Sequence, residues 1–377
     1  MLAALLLPAC APVEVPEEIA ELEAEIADLE DDVAAKDREL AGLEGDVGDL
    51  EDEIAALRKP AEVYQWDMTG SALYRGTESF AVVDKWCADL KEASGGRLDI
   101  TLFGDGEIMP IYETLEATSQ GLLKINYAYD GYFIGDIPVA LYSVGAPPFT
   151  LRTIPEYLAL YHQYGLEDLL REAFAEHNIY YVRPMPMSSF TIMSNFPVRE
   201  AADLTGKLMR SSGINADVLA EAGASVVFFP WGEIYGALEK GIVDGILVGP
   251  LTSLYESGFH EVSKYWLETP TTPIDNYTIH VNLDTWKTLP DDIKALLYQS
   301  AAGHCQEYSG FFAYYDAVYR AKILEEGLTI TSLPDEEIRI MAQYTMAVLD
   351  KRSAEDPYVA EATVMLKKYM KELGYLE

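Results

Sequence analysis

Apolar residues recur with more than one period along the chain, and the change of period divides it. Between residues 17 and 59 they fall at alternating spacings of three and four. One series runs Ile19, Ile26, Val33, Leu40, Val47, Ile54, and the other runs Leu22, Leu29, Lys36, Leu43, Leu50, Leu57, with Lys36 as the one polar break. That spacing predicts a heptad helix, opened after Pro12 and Pro16 and stopped by Pro60. At 1.5 Å per residue it would be about 58 Å long from Ile19 to Leu57. β-Branched residues in the first series with Leu in the second favour a parallel two-stranded coil. The flanks oppose it. Glu18, Glu25, Asp32, Glu39, Asp46 and Glu53 on one side, and Glu23, Glu30, Asp37, Glu44 and Glu51 on the other, would set like charges against each other in a homodimer. Gly42, Gly45 and Gly48 weaken the second half by roughly 1 kcal/mol each. Three readings stay open: a salt-screened homodimer stalk, a coil with a basic partner, and an acidic spacer that dimerises only weakly at low salt. The spacer is favoured.

From Val63 the pattern alternates between strand and helix periods. Val63–Trp66 reads as a strand and Phe80–Ala93 as a helix stopped by Ser94-Gly95-Gly96. Leu98–Phe103 follows as a strand, Tyr112–Gln120 as a helix, and Leu122–Tyr129 as a strand. This order predicts an α/β lobe with a parallel core. It recurs with strands at Tyr180–Val182, Phe190–Ser194, Lys207–Arg210, Val226–Phe229 and Ile246–Val248, and helices at Ala216–Ala222 and Glu233–Lys240. Tyr277–Val281 reads as a strand returning to the first lobe, and Pro290–Glu326, Glu336–Arg352 and Tyr358–Leu373 as helices. The fold class is α/β: two lobes of the periplasmic-binding-protein kind clasped by long helices, preceded by the heptad helix, with room for a ligand between the lobes. The division expected is residues 62–187 plus 276–315 for lobe I and 188–275 plus 316–377 for lobe II.

Composition narrows the function. The formal charge of -36 excludes a phosphate-neutralising surface, so nucleic acid is not an expected partner. An anionic ligand would have to be held by a few placed donors against that field. Cys10, Cys87 and Cys305 have no metal-binding spacing. The run Met1–Ala9 resembles the end of a bacterial lipoprotein signal, with Cys10 as the lipid anchor; it lacks the positive segment such a signal needs, which suggests a start codon further upstream. The five histidines form no HExxH, and no G-x-S-x-G elbow or P-loop is present, which argues against a hydrolase or metalloenzyme.

Asp203-Leu-Thr-Gly-Lys-Leu-Met-Arg210, Ala222-Gly-Ala-Ser-Val226 and Pro230-Trp-Gly-Glu-Ile-Tyr-Gly-Ala-Leu-Glu-Lys-Gly-Ile-Val-Asp-Gly245 occur in this order. Pro250, Gly258–Tyr265 and Leu289–Ile293 continue the series. The ordered set, over about Val63 to Ala301, resembles the DctP-type solute-binding proteins of tripartite ATP-independent periplasmic (TRAP) transporters. The resemblance implies two α/β lobes crossed by a long helix, a carboxylated solute, delivery to membrane permease subunits, no cofactor and no catalysis. It also implies that Arg210 makes the ligand salt bridge. Chemistry agrees, because a guanidinium fork grips a carboxylate through two parallel hydrogen bonds; the bland alternative is an Arg paired with a neighbouring acid.

Other candidate ligand contacts are Trp66, Tyr129, Tyr132, Phe190, Trp231 and Tyr277 as aromatic walls, and Asn195 as a donor. Phe190 stands where sialic-acid-binding relatives carry a second arginine, and Ile246–Gly249 has neither charge nor metal donor. A bound cation is therefore not expected, and the predicted solute has one principal carboxylate and a hydrophobic or aromatic body. The competing reading is a ligand-sensing or stalked interaction protein at the cell surface. For the stalk, sedimentation of the full chain is expected to show little dimer at low ionic strength and more as salt rises from about 0.05 to 1 M and screens the acidic flanks. A dimer that is firm at low salt would discard the spacer reading.

Overall fold

The computed structural model describes residues 17–57, 62–272 and 274–376. Cys10 and the signal-like segment lie outside the described residues. The chain divides into two units, Met1–Glu62 and Val63–Glu377. In the first, α1 (Glu17–Leu57) is one helix of 41 residues, and its apolar positions from Ile19 to Leu50 are exposed.

The second unit opens with β1 (Tyr64–Gly70), α2 (Glu78–Ala93), β2 (Leu98–Phe103), α3 (Thr114–Ser119) and β3 (Ile125–Ala128). Thr77 caps α2 by accepting from the Phe80 amide, and the helix buries Phe80, Val83, Trp86, Cys87 and Leu90 along one stripe. Next come α4 (Ile154–Gln163), α5 (Leu166–Ala175), β4 (Ile179–Pro186) and β5 (Phe190–Ser194). They lead to β6 (Leu208–Arg210), α6 (Gly213–Glu221), β7 (Ser225–Val227), α7 (Ile234–Glu239), β8 (Gly245–Val248) and α8 (Leu251–Glu256). The remainder is β9 (Tyr265–Thr272), β10 (Asn276–Asn282), α9 (Leu283–Thr288), α10 (Asp291–Glu325), β11 (Thr329–Thr331), α11 (Asp335–Ser353) and α12 (Pro357–Glu372).

Two sheets result, ordered β2-β1-β3-β10-β4 and β11-β9-β5-β8-β6-β7. β1 pairs in parallel with β2 and β3. The first sheet is nevertheless mixed rather than purely parallel, because β10 returns from the second half and inserts antiparallel between β3 and β4. All seven of its residues are buried, as a central strand covered on both faces requires. The chain crosses between sheets near residues 187–189 and again near 274–275. β9 escaped the sequence reading because Pro270 interrupts it; the structure accommodates the proline at a bulge, where β5 pairs Phe190 with Thr272 but Ile192 with Leu267.

Helix α10 runs along both lobes. Toward its middle, Ser309 Oγ donates to the Pro186 carbonyl of β4 at 2.6 Å. Further on, Asp316 accepts from the Thr252 amide and hydroxyl at 2.7 and 2.6 Å, and from Ser188 in the crossing segment. One carboxylate thus ties the spanning helix to lobe II and to the crossing. α11 stays with lobe II, where Arg352 pairs with Asp217 of α6 at 2.7 Å. At the expected boundary α12 touches both lobes: it packs along α11, where Ser353 Oγ lies 2.9 Å from Thr363 Oγ1, and also reaches lobe I. Thr363 meets the Tyr142 hydroxyl at 2.7 Å, and the helix packs on α4 and α5 beside the first sheet. Its apolar stripe, Val359, Ala362, Leu366 and Met370, was legible in the sequence, but the face it covers was not. Cys87 and Cys305 are both free and buried.

His304 of α10 stacks on Trp86 at 4.9 Å between ring centres, and its Nε2 lies 3.3 Å from the Tyr127 hydroxyl. Burial, aided by nearby Lys85, lowers its pKa from 6.5 to about 3, against a smaller opposing pull from Asp89. The folded protein therefore holds a neutral ring where the unfolded chain would take up a proton. This contribution to stability is complete above about pH 6.5 and is lost as pH falls toward 3, with a slope near 1.4 kcal/mol per pH unit. Urea unfolding at pH 6.5 and pH 5 is expected to show the wild type losing about 2 kcal/mol more than His304→Phe. Equal losses would mean that the folded protein admits the proton.

Candidate functional site

The carboxyl ends of the parallel strands in both sheets point at one gap, the position where open α/β sheets place ligands. β1 leads to Ala72, β3 to Tyr129, β6 ends at Arg210, and β8 leads to Gly249. The antiparallel strands contribute their opposite ends: Phe190 begins β5, while Asp275 and Tyr277 lie at the start of β10. These residues, with Tyr132, Met187, Ser212, Trp231, Val248, Pro250 and Ser253, line a small cavity of about 30 Å³ between the lobes.

Arg210 is 2% exposed. Its Nε and Nη2 both donate to the Phe229 carbonyl, at 3.1 and 2.7 Å, and its guanidinium lies 5.0 Å from the Phe228 ring centre. Burial lowers its pKa, and the side chains that favour its charge are the tyrosines Tyr132, Tyr112 and Tyr129 rather than an acid. Arginine does not deprotonate in proteins, so the site holds a desolvated positive charge without a carboxylate counter-ion among its described neighbours. Such a charge is costly until an anion joins it.

The wall is aromatic and braced from behind. Tyr129 lies 6.2 Å from both Phe190 and Tyr277, and 5.2 Å from Tyr132. Between Tyr129 and Tyr132 sits buried Asp130, which accepts from Ser143 at 2.6 Å and Thr278 at 2.8 Å and lies 3.1 Å from His280. That network holds the tyrosine-bearing turn against the sheet. Trp231 spends its indole N–H on Ser257 Oγ at 3.0 Å, so it offers the cavity its ring carbons and not a donor. Gly249 has φ +44°, and a Cβ there would stand 3.1 Å from the Trp231 ring, so the bare backbone makes room for the indole.

The lobes meet at the mouth. Tyr112 and Tyr132 of lobe I press edge-on against Phe228 of lobe II, at 6.0 and 6.3 Å. Ser79 of α2 donates to Glu256 of α8 at 2.8 Å, and burial raises that carboxyl's pKa. The lobes are closed on each other in this conformation.

Of the residues singled out from sequence, Arg210, Trp231, Phe190, Tyr129, Tyr132 and Tyr277 come together around the cavity. Trp66 does not: it sits mid-strand in β1, buried in the core beside Tyr64, four residues before the strand end that faces the gap. Asn195 does not either. β5 runs antiparallel to β8, so Phe190 lies near the cavity while Asn195, past the far end, bonds the Asp244 carbonyl at 2.8 Å. Strand direction decides this, and spacing along one strand cannot reveal it. Asp275 and Ser212 were missed. Nothing local marks Asp275, because its place in the cavity comes from the second crossing between sheets.

The chain matches the family model of the bacterial extracellular solute-binding proteins, family 7, over residues 70–356. The monocarboxylate 2-oxoacid-binding periplasmic protein of Nostoc sp. is 23% identical over 321 residues, which span 82% of this chain and 85% of the relative. A TRAP transporter solute-binding protein from Bordetella bronchiseptica, solved with calcium and picolinate, shares the fold at a TM-score of 0.74 and 23% identity, over 83% of this chain and 93% of its own. Another from Chromohalobacter salexigens, with bound (S)-2-amino-1-propanol, gives 0.71 and 24%, over 83% and 96%. The two-lobed architecture with its cleft and spanning helix, together with a family match over most of the sequence, makes this chain a member of the DctP-type periplasmic solute-binding proteins of TRAP transporters, which bind solutes for transport and are not enzymes.

Proposed function

We propose that this protein captures a small organic acid through its carboxylate in the cleft between the lobes and delivers it to TRAP permease subunits. Arg210 carries the reading. A guanidinium held rigid by the Phe229 carbonyl, shielded from water and lacking an acidic partner, is poised for an incoming carboxylate. Tyr129, Phe190, Tyr277, Trp231 and Val248 supply an apolar and aromatic surface for the rest of the solute. The Nostoc relative's name and the picolinate in the Bordetella protein fit a carboxylate, whereas the amino alcohol in the Chromohalobacter protein has none. The case for an acid therefore rests on Arg210 and not on the fold. Within the same proposal, Cys10 carries a lipid that tethers the protein outside the cytoplasmic membrane. The helix α1, about 60 Å long at 1.5 Å per residue, acts as an acidic spacer that pairs weakly with a second copy.

A thermal-shift screen of organic acids, followed by calorimetry on the acids that bind, tests the proposal. Arg210→Gln is expected to lower affinity for the selected acid by about 30-fold or more, while the free protein unfolds as cooperatively as before, since an uncompensated buried charge has been removed. Unchanged affinity would remove Arg210 from the site and the proposal with it. Phe228 stands 47% exposed at the mouth and closes the lobes against Tyr112. Phe228→Ser is expected to speed ligand release severalfold in stopped-flow measurements, with little change in association rate.

A further inference from the structure

Across the cavity from the arginine's strand lies a buried acid that the carboxylate reading does not use. Asp275 is 2% exposed and lines the same space as Arg210. Its backbone carbonyl accepts from the Met187 amide at 2.7 Å, which fixes the residue at the crossing between sheets. Its Oδ1 is buried without a hydrogen-bond partner. A carboxylate placed so is as costly as a bare guanidinium, and natural interiors rarely leave either alone. The cavity also lacks the donor set of a cation site: among the described residues no group of three or more His, Cys, Asp or Glu gathers anywhere, and Phe190 and Val248 face the same space.

We infer that the solute is zwitterionic, an amino or imino acid whose carboxylate meets Arg210 and whose protonated nitrogen meets Asp275. The inference rests on the carboxylate reading of Arg210 and adds the second pole. Tyr129, Tyr277 and Trp231 line the same space, and the electron-rich face of an aromatic ring suits an ammonium group in a desolvated setting. A zwitterion also suits a chain of charge -36, because it brings no net anion into that field. The titratable and charged groups around Asp275 are Tyr129 from the β3 end, Tyr277 of β10, Tyr308 of α10 and, across the cavity, Arg210. Burial raises the Asp275 carboxyl far above its usual range, and burial keeps those tyrosines neutral. In the free protein the carboxyl thus holds a proton. When an ammonium docks, the carboxyl becomes the anion, its proton passes to the buffer, and the ligand keeps its own.

The test uses the full chain and three matched pairs: L-leucine with 4-methylpentanoate, L-proline with cyclopentanecarboxylate, and 5-aminopentanoate with pentanoate. Calorimetry runs in phosphate and in Tris, whose different ionisation heats expose proton release. In at least one pair the amino member is expected to bind about tenfold tighter or more, with release of a proton. Asp275→Asn should abolish both the preference and the release. The wild-type proton count stands by itself should that variant fold poorly. Des-amino members that bind as well or better, with Arg210→Gln still weakening them, would overturn the zwitterion and spare the carboxylate. Tightening of the des-amino members by added calcium or sodium would likewise overturn it, by making Asp275 a metal ligand. No binding by any member would sink both readings.

Discussion

Arg210 brings a full positive charge into a place that water barely reaches, and the surrounding architecture is arranged around that cost. The strand that bears it is three residues long and ends at the gap between the lobes. The Phe229 carbonyl takes two of its donors, which orients the guanidinium without neutralising it. A carbonyl dipole compensates only part of a buried charge, so the site keeps a standing demand for an anion. In an acidic chain, a demand of this kind would let the selectivity for an anionic group that we propose survive an opposing field. The surface repels, and one desolvated donor fork attracts at close range, where Coulomb energy is large because the dielectric is low.

The crossings between sheets at 187–189 and 274–275 make the geometry hold. At the first, Ser188 is gripped by Asp316 of the spanning helix, which also binds Thr252 in lobe II. At the second, the 274–275 segment carries Asp275 into the cavity immediately before β10 enters the first sheet. Both crossings therefore do two jobs, joining the lobes and supplying wall residues, since Met187 and Phe190 flank the first as Asp275 and Tyr277 flank the second. Closing the lobes brings these walls together and excludes water, which strengthens every polar contact inside. The mouth is sealed by rings, Tyr112 and Tyr132 against Phe228, and by the Ser79–Glu256 hydrogen bond. Such contacts are small in energy and are suited to opening again.

Element types were readable because each depends on neighbours in sequence. The α2 stripe, the β2 alternation, the long α10 and the 41-residue α1 all follow from periodicity and from stop signals such as Gly95-Gly96 and Pro60. β9 was hidden by Pro270, whose bulge only the pairing with β5 reveals. The candidate site was legible in part. Arg210, Trp231 and Phe190 stood out through ordered motifs, while Trp66 and Asn195 were misplaced because an aromatic or an amide next to a strand carries no record of which end faces a cleft.

By itself the sequence determined the alternation of strands and helices, the acidic heptad helix, the apolar stripes and the family, since periodicity and ordered motifs are properties of the chain read in one dimension. Tertiary structure alone decided that β10 would lie inside the first sheet, that α12 would return to cover α4 and α5, and that Asp275 would face the same cavity as Arg210. Those facts depend on which distant segments become neighbours. Residues 65 positions apart share a cavity only because the chain crosses between sheets at 187–189 and again at 274–275, and no local pattern encodes a crossing.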